Sequence, residues 1–81
     1  MKAAVYSLKR VLFEGDARAV NVKTVSGEIT VLDHHRPLVT ALAACAVTVT
    51  DAGGNKHFFP IVSGFLEVNA RNQAKLIVEE A

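Results

Sequence analysis

The chain has 81 residues, 51% of them hydrophobic, with 9 Lys plus Arg against 8 Asp plus Glu and a formal net charge of +1. That length supplies one domain with a small core, and the apolar share lies at the top of the usual range, which excludes a disordered chain. No basic block marks a nucleic-acid footprint, the single cysteine, Cys45, excludes an internal disulfide and fits a reducing compartment, the lack of a long apolar stretch in "MKAAVYSLKRV" disfavours a signal peptide, and no apolar run approaches the length of a membrane span.

Taken in chain order, the segments read as strands. "RVLF" is followed by Glu14-Gly15-Asp16, a turn signal. In "AVNVKTV", Val20 and Val22 lie on one face, which Thr24 can extend, and Asn21 and Lys23 lie on the other. Ser26-Gly27 marks the next turn. "EITVL" follows, with Ile29 and Val31 on one face, and then a polar stretch, Asp33-His34-His35-Arg36-Pro37. "LVTALAACAV" is alanine-rich and has helical propensity, but its flanks are strand-like and a strand is expected. In "AVTVTD", Val47 and Val49 alternate with Thr48 and Thr50. Asp51 to Asn55 is a hairpin turn rich in residues that tolerate positive φ. In "KHFFPIV", Pro60 cannot donate to a ladder, which predicts a sheet edge or a bulge there. "FLEVN" sets Leu66 and Val68 against Phe65 and Glu67, and Asn69 to Gln73 turns into "KLIVEE". A period of two with turn signals roughly every 8 to 14 residues is the rhythm of an all-β sandwich or barrel. The predicted core is Val20, Val22, Ile29, Val31, Val47, Val49, Leu66, Val68 and Ile77.

Little in this pattern points to chemistry. Adjacent residues of an extended chain face opposite ways, so His34 and His35 are poorly placed to ligate one metal. Asp33, Cys45 and His57 add no recognised zinc spacing, and no metal site is expected. Ser63-Gly64 lacks the full G-x-S-x-G elbow. Cys45, among alanines and valines, reads as a small hydrophobe. The carboxylates Glu14, Asp16, Glu28, Asp33, Asp51, Glu67, Glu79 and Glu80 are scattered. Asp51 to Asn55 has no Gly-Lys-Ser/Thr ending and no following helix, so it is no phosphate cradle. The residues favour an interaction module or structural subunit over an enzyme.

Several phrases together, "RVLFEGDARAVNV", "SGEITVLDHHRPLVTAL", "DAGGNKHFF", "SGFLEVN" and "KLIVEEA", resemble in order and spacing the N-terminal domain of the epsilon subunit of F-type ATP synthase, called delta in mitochondria. The most specific match is to Gly-Glu-x-Gly-x-Leu-Pro-Gly-His-x-Pro-Leu-x-Thr, met in register by Gly27, Glu28, Leu32, His35, Pro37, Leu38 and Thr40. The departures fall at turns: Thr30 replaces a glycine, Asp33-His34 replaces Pro-Gly, Ala43-Ala44-Cys45 replaces Lys-Pro-Gly, and Ser63-Gly64 stands where paired glycines are common.

The resemblance implies one domain over residues 1–81, a flattened sandwich of about ten short strands. It implies a non-catalytic rotor element of the central stalk, without cofactor or metal, that links the gamma subunit to the c-ring and couples rotation to ATP synthesis. In that family Ser26, Gly27 and Glu28 would face the c-ring, and His35, Pro37 and Thr40 would face gamma. The place implied is the cytoplasmic face of the bacterial inner membrane, held peripherally through the c-ring. The helical hairpin common in the family is absent from these 81 residues, so neither nucleotide binding nor inhibition of hydrolysis is expected of them. The competing reading is a free-standing β-sandwich, a binding module or small enzyme using His34, His35 and His57. It predicts a deep polar pocket lined by two of those histidines.

Overall fold

A computed structural model describes every residue from Met1 to Ala81. The chain is all β: β1 (Lys2–Ser7), β2 (Val11–Thr24), β3 (Gly27–Leu32), β4 (Leu38–Leu42), β5 (Cys45–Asp51), β6 (Lys56–Val68) and β7 (Gln73–Glu80). These seven strands are fewer and longer than the ten short ones expected, because β2 and β6 each run through two layers.

The first layer has the order β2 (first half), β1, β7, β6 (second half), β4, with β1 and β7 parallel. The second layer has the order β3, β2 (second half), β5, β6 (first half). The ladder shifts register between Ala17 and Ala19 in β2 and between Ile61 and Ser63 in β6. These are the bulges at which a strand turns the corner between packed sheets. The shortest extent of the body, 19 Å, fits two sheets about 10 Å apart with a coat of side chains on each.

Alternation places the core. Ala3, Val5, Leu66, Val68, Leu76 and Val78 point inward from the first layer and meet Val20, Val22, Val31, Val47, Val49 and Ile61 from the second. Of the nine predicted core residues, seven are buried and Ile29 on the edge strand β3 is half-buried. Ile77 is the exception, with 46% of its surface exposed. "LIV" at 76–78 offers three consecutive apolar residues, and the register gives the inward positions to Leu76 and Val78. Thr24 does extend the inner face: it is buried, and its hydroxyl donates to the Gly27 carbonyl at 2.9 Å and accepts from the Ser26 N–H at 3.1 Å.

Glu14-Gly15-Asp16 is not a turn. It lies within β2, just before the strand leaves one sheet for the other. A glycine between acidic residues signals a change of direction but does not say whether the chain reverses or only bends. The alanine-rich segment is strand on both sides of Ala43-Ala44, as its flanks predict. Pro60 also stands as predicted, in the half of β6 that has no partner on its β7 side, next to the bulge. Its carbonyl accepts from the Ala81 N–H at 3.1 Å. Its nitrogen therefore points past the end of β7, and no ladder bond to β5 is lost.

Candidate interaction surface

A single lateral row orders the molecule's ends. Ser7 is opposite Val78, Val78 opposite Gly64, Gly64 opposite Leu42, Leu42 opposite Thr24 and Thr24 opposite Gly27. The Val25-Ser26 turn and the Ser7–Arg10 corner thus share one end of the sandwich. At the other end Leu38 is level with Val68, Ala74 and Ala3, and there the Asp33–Pro37 loop lies beside Asn69–Asn72 and Met1. The two segments assigned to partners from the sequence are therefore at opposite ends, joined by the lengths of β3 and β4.

At the first end Ser26, Gly27 and Glu28 are all exposed, and so is Val25 at 82%. Gly27 has φ +125°, a conformation that favours glycine. Glu28 is the second residue of β3, directly opposite Lys23, so it stands on the strand beside the turn and not in the loop itself.

At the second end Asp33 organises the loop. Its carboxylate accepts from the Met1 ammonium and from Asn72 Nδ2, each at 2.7 Å, and Asn72 Oδ1 accepts from the His34 N–H at 2.7 Å. The Met1 ammonium, and then Asn72, hold the Asp33 carboxyl below its ordinary range. His34 has φ 60°, so the left-handed backbone that suits the glycine of the resembling motif persists although a histidine now occupies it. His35 Nδ1 lies 2.7 Å from the Arg36 carbonyl, to which it donates. Pro37 is exposed, and Thr40, in β4, is half-buried on the same side of its strand as Leu38 and Leu42.

His57 belongs to a different cluster. Its Nε2 donates to Asp51 Oδ2 at 2.9 Å, and its ring lies 5.2 Å from Phe13 and stacks on Phe59 at 6.5 Å. Asp51 Oδ1 accepts from the N–H groups of Gly53 and Asn55, both at 2.9 Å, which closes the hairpin turn. His34 and His35 are not brought to His57, and neither surface depression is lined by a histidine. No group of three or more His, Cys, Asp or Glu side chains is placed to hold a metal.

The Asp51 carboxyl is held below its ordinary value, first by the His57 hydrogen bond and then by the Asn55 N–H. A carboxyl depressed in the folded state stabilises the fold above its unfolded value of about 3.9, and that contribution is lost as pH falls through the folded value. Asp33 and Glu80, the latter held down by Arg10, act in the same direction. Urea unfolding measured from neutral pH down to about pH 2 should therefore show stability falling below about pH 4. The fall should be shallower in Asp51→Asn. An equal fall in the variant would remove Asp51 from this role.

One family matches along the whole chain. Residues 1–81 fit the family of the ATP synthase delta/epsilon chain, beta-sandwich domain. The chain belongs to that family. It is 35% identical over 81 residues to "ATP synthase epsilon chain 2" of Burkholderia orbicola (strain AU 1054), covering all of this chain and 53% of that protein. It is 41% identical over 56 residues to the "ATP synthase epsilon chain" of an Exiguobacterium species, covering 69% of this chain and 41% of that one. The chain thus spans about half the length of these curated ATP synthase relatives. Among solved structures it superposes with a TM-score of 0.88 and 25% identity on a chain of the Euglena gracilis mitochondrial ATP synthase, OSCP/F1/c-ring assembly, covering 96% of this chain and 49% of that one. A chain of the Tetrahymena thermophila mitochondrial ATP synthase central stalk and c-ring shares the fold, with a TM-score of 0.84 at 12% identity, covering 99% and 63%.

Proposed function

We propose that this domain is a non-catalytic part of the rotor of an F-type ATP synthase, linking the gamma subunit to the c-ring so that the two turn together. The observation that carries this reading is the family match over residues 1–81. It is supported by the 0.88 superposition on a chain from an assembly that contains a c-ring. A rigid sandwich with exposed segments at both ends suits a coupling element. In this reading Ser26, Gly27 and Glu28 meet the polar loops of the c-ring, and His35, Pro37 and Thr40 belong to the side that meets gamma. The domain works at the cytoplasmic face of the bacterial inner membrane, as a peripheral component of a membrane-associated complex, and needs no cofactor of its own.

The test acts on Glu28 in the intact enzyme. An exposed ion pair is worth about 0–1 kcal/mol, so Glu28→Ala should weaken coupling only modestly. Glu28→Lys places a second cation opposite Lys23 and reverses the charge offered to the ring. Proton pumping per ATP hydrolysed should fall clearly in Glu28→Lys while hydrolysis by the catalytic head continues. Unchanged assembly and pumping would remove the turn from the ring contact.

A further inference from the structure

Met1 is fixed in place before it meets Asp33. Its side chain is 1% exposed and packs against the core. Its carbonyl accepts from the Ala17 N–H at 2.8 Å and its ammonium donates to the Ala17 carbonyl at 3.1 Å, which extends the β1–β2 ladder by one residue. An ammonium carries three donors, and a second of them reaches Asp33 Oδ1 at 2.7 Å. A surface ion pair is ordinarily weak, because two long side chains must be immobilised to form it. Here the cation sits on backbone that a ladder and a buried side chain already hold, so that cost is largely absent.

Asp33 passes the restraint on. Its Oδ1 also accepts from Asn72 Nδ2, and Asn72 Oδ1 accepts from the His34 N–H, both at 2.7 Å. The Asn72 carbonyl accepts from the Lys2 N–H at 3.1 Å. His34, with φ 60°, and Asn72, with φ 59°, are the only residues other than glycine with positive φ, and both belong to this network. Left-handed backbone outside glycine persists where the surroundings over-determine it. The Met1 ammonium and His34, whose Nε2 is 3.7 Å from Asp33 Oδ2, are the only basic groups within 4.0 Å of the carboxylate. The ammonium is therefore the one permanent cation that the loop closes on.

From this geometry we infer that the α-nitrogen of Met1 is a modification-sensitive site: the free ammonium clamps the Asp33–Pro37 loop against Asn69–Asn72, and N-acylation releases it. A thioester acyl donor reacts at such a nitrogen by forming an N–C bond at its carbonyl carbon and expelling a thiolate. Of the two protons that the nitrogen loses, one goes to the thiolate and one to water. The product amide has one N–H and no charge. The ladder to Ala17 takes that N–H, and Asp33 keeps only its bond from Asn72. The two left-handed residues then lose the anchor that fixes them, and the loop opens while the core behind it stays intact. A peptide extension ahead of Met1 makes the same amide and has the same effect.

The experiment compares the 81-residue chain with a free and with an acetylated Met1 nitrogen. Cys45, the single cysteine, allows synthesis in two pieces ligated at Ala44-Cys45, so that the lysines stay unmodified. The Asp33 carboxyl, which the ammonium holds below its ordinary range, should titrate at higher pH in the acetylated chain when followed by carbon-13 NMR. The His34 N–H should exchange with solvent about fivefold faster or more, the scale of one lost hydrogen bond, while amides in β5 and β6 keep their protection. Asp33→Asn with a free amine should speed His34 exchange to the same degree, and acetylating that variant should add nothing. A chain extended by Gly-Ser ahead of Met1 should behave as the acetylated one does. Unchanged Asp33 titration and His34 exchange on acetylation would overturn the inference. So would an equal effect of acetylation in Asp33→Asn, because the ammonium would then act through another group, and so would wild-type behaviour of the extended chain.

Discussion

Truncating Leu66 to alanine should lower the free energy of unfolding by about 2–5 kcal/mol, against a total of roughly 5–15 kcal/mol for a domain of ordinary stability. Leu66 has no exposed surface and is one of the two largest fully buried side chains, the other being Leu76. It sits on β6 between Thr40 of β4 and Leu76 of β7. With a ladder on each side, the strand cannot move inward to fill the space that the truncation leaves. The second layer, tied to the first by β2 and β6, cannot settle into it either. The loss therefore includes a large cavity contribution as well as the transfer of the missing methyl groups. Ile77→Ala provides the contrast. It removes a comparable side chain one strand away, but from a position 46% exposed, and should cost much less. Urea unfolding of both variants checks the pair, and equal losses would mean that the two faces of β7 and β6 are wrongly assigned.

The second large effect is expected at Gly64. A Cβ built there would lie 2.7 Å from the Ile77 carbonyl oxygen, 3.0 Å from Val78 Cγ1 and 3.1 Å from Val78 Cα. Two of these three atoms are backbone of β7. They cannot retreat without opening the ladder in which Gly64 faces Val78 on one side and Leu42 on the other. Gly64→Ala should therefore destabilise by about 1–3 kcal/mol, the range for forcing extra atoms into a packed interior, and Gly64→Val by more. Gly53 is the control. Its added Cβ would meet only side-chain atoms of Asn55 and Asp51 at 3.4 Å, and Gly53→Ala should be far milder. Thermal denaturation of the three variants decides. A harmless Gly64→Ala would show that β6 and β7 approach less closely than described.

What the sequence disclosed follows from what alternation can and cannot encode. Where apolar and polar residues strictly alternate, as at Leu66-Glu67-Val68 or Val47-Thr48-Val49, one face must be the core and the assignment is correct. At Leu76-Ile77-Val78 both parities are apolar, and only the register with β1 and β6 selects the buried pair. The bend at Gly15 read as a turn for a similar reason: continuity of β2 depends on β1 and β5, which lie elsewhere in the chain. The Val25-Ser26 turn, read one residue late as Ser26-Gly27, and the hairpin at Asp51–Asn55 were legible because their chemistry is local. Contiguity decided which segments the sequence could single out. Gly27-Glu28 and His35 to Thr40 are contiguous motifs, whereas Val11, Tyr6, Ile77, Phe65 and Ala41 come from five separate strands and become neighbours only through the ladders.

The sharing of β2 and β6 between the layers has a mechanical consequence. In a sandwich whose sheets touch only through side chains, a force parallel to the layers is resisted by dispersion contacts, and the sheets can slip. Here any such slip would have to stretch two continuous backbones, at Ala17–Ala19 and at Ile61–Ser63. A load applied to one layer thus reaches the other through covalent bonds as well as packing. A body built this way transmits twist with little lag, and it leaves no half-unfolded form in which one sheet survives the loss of the other.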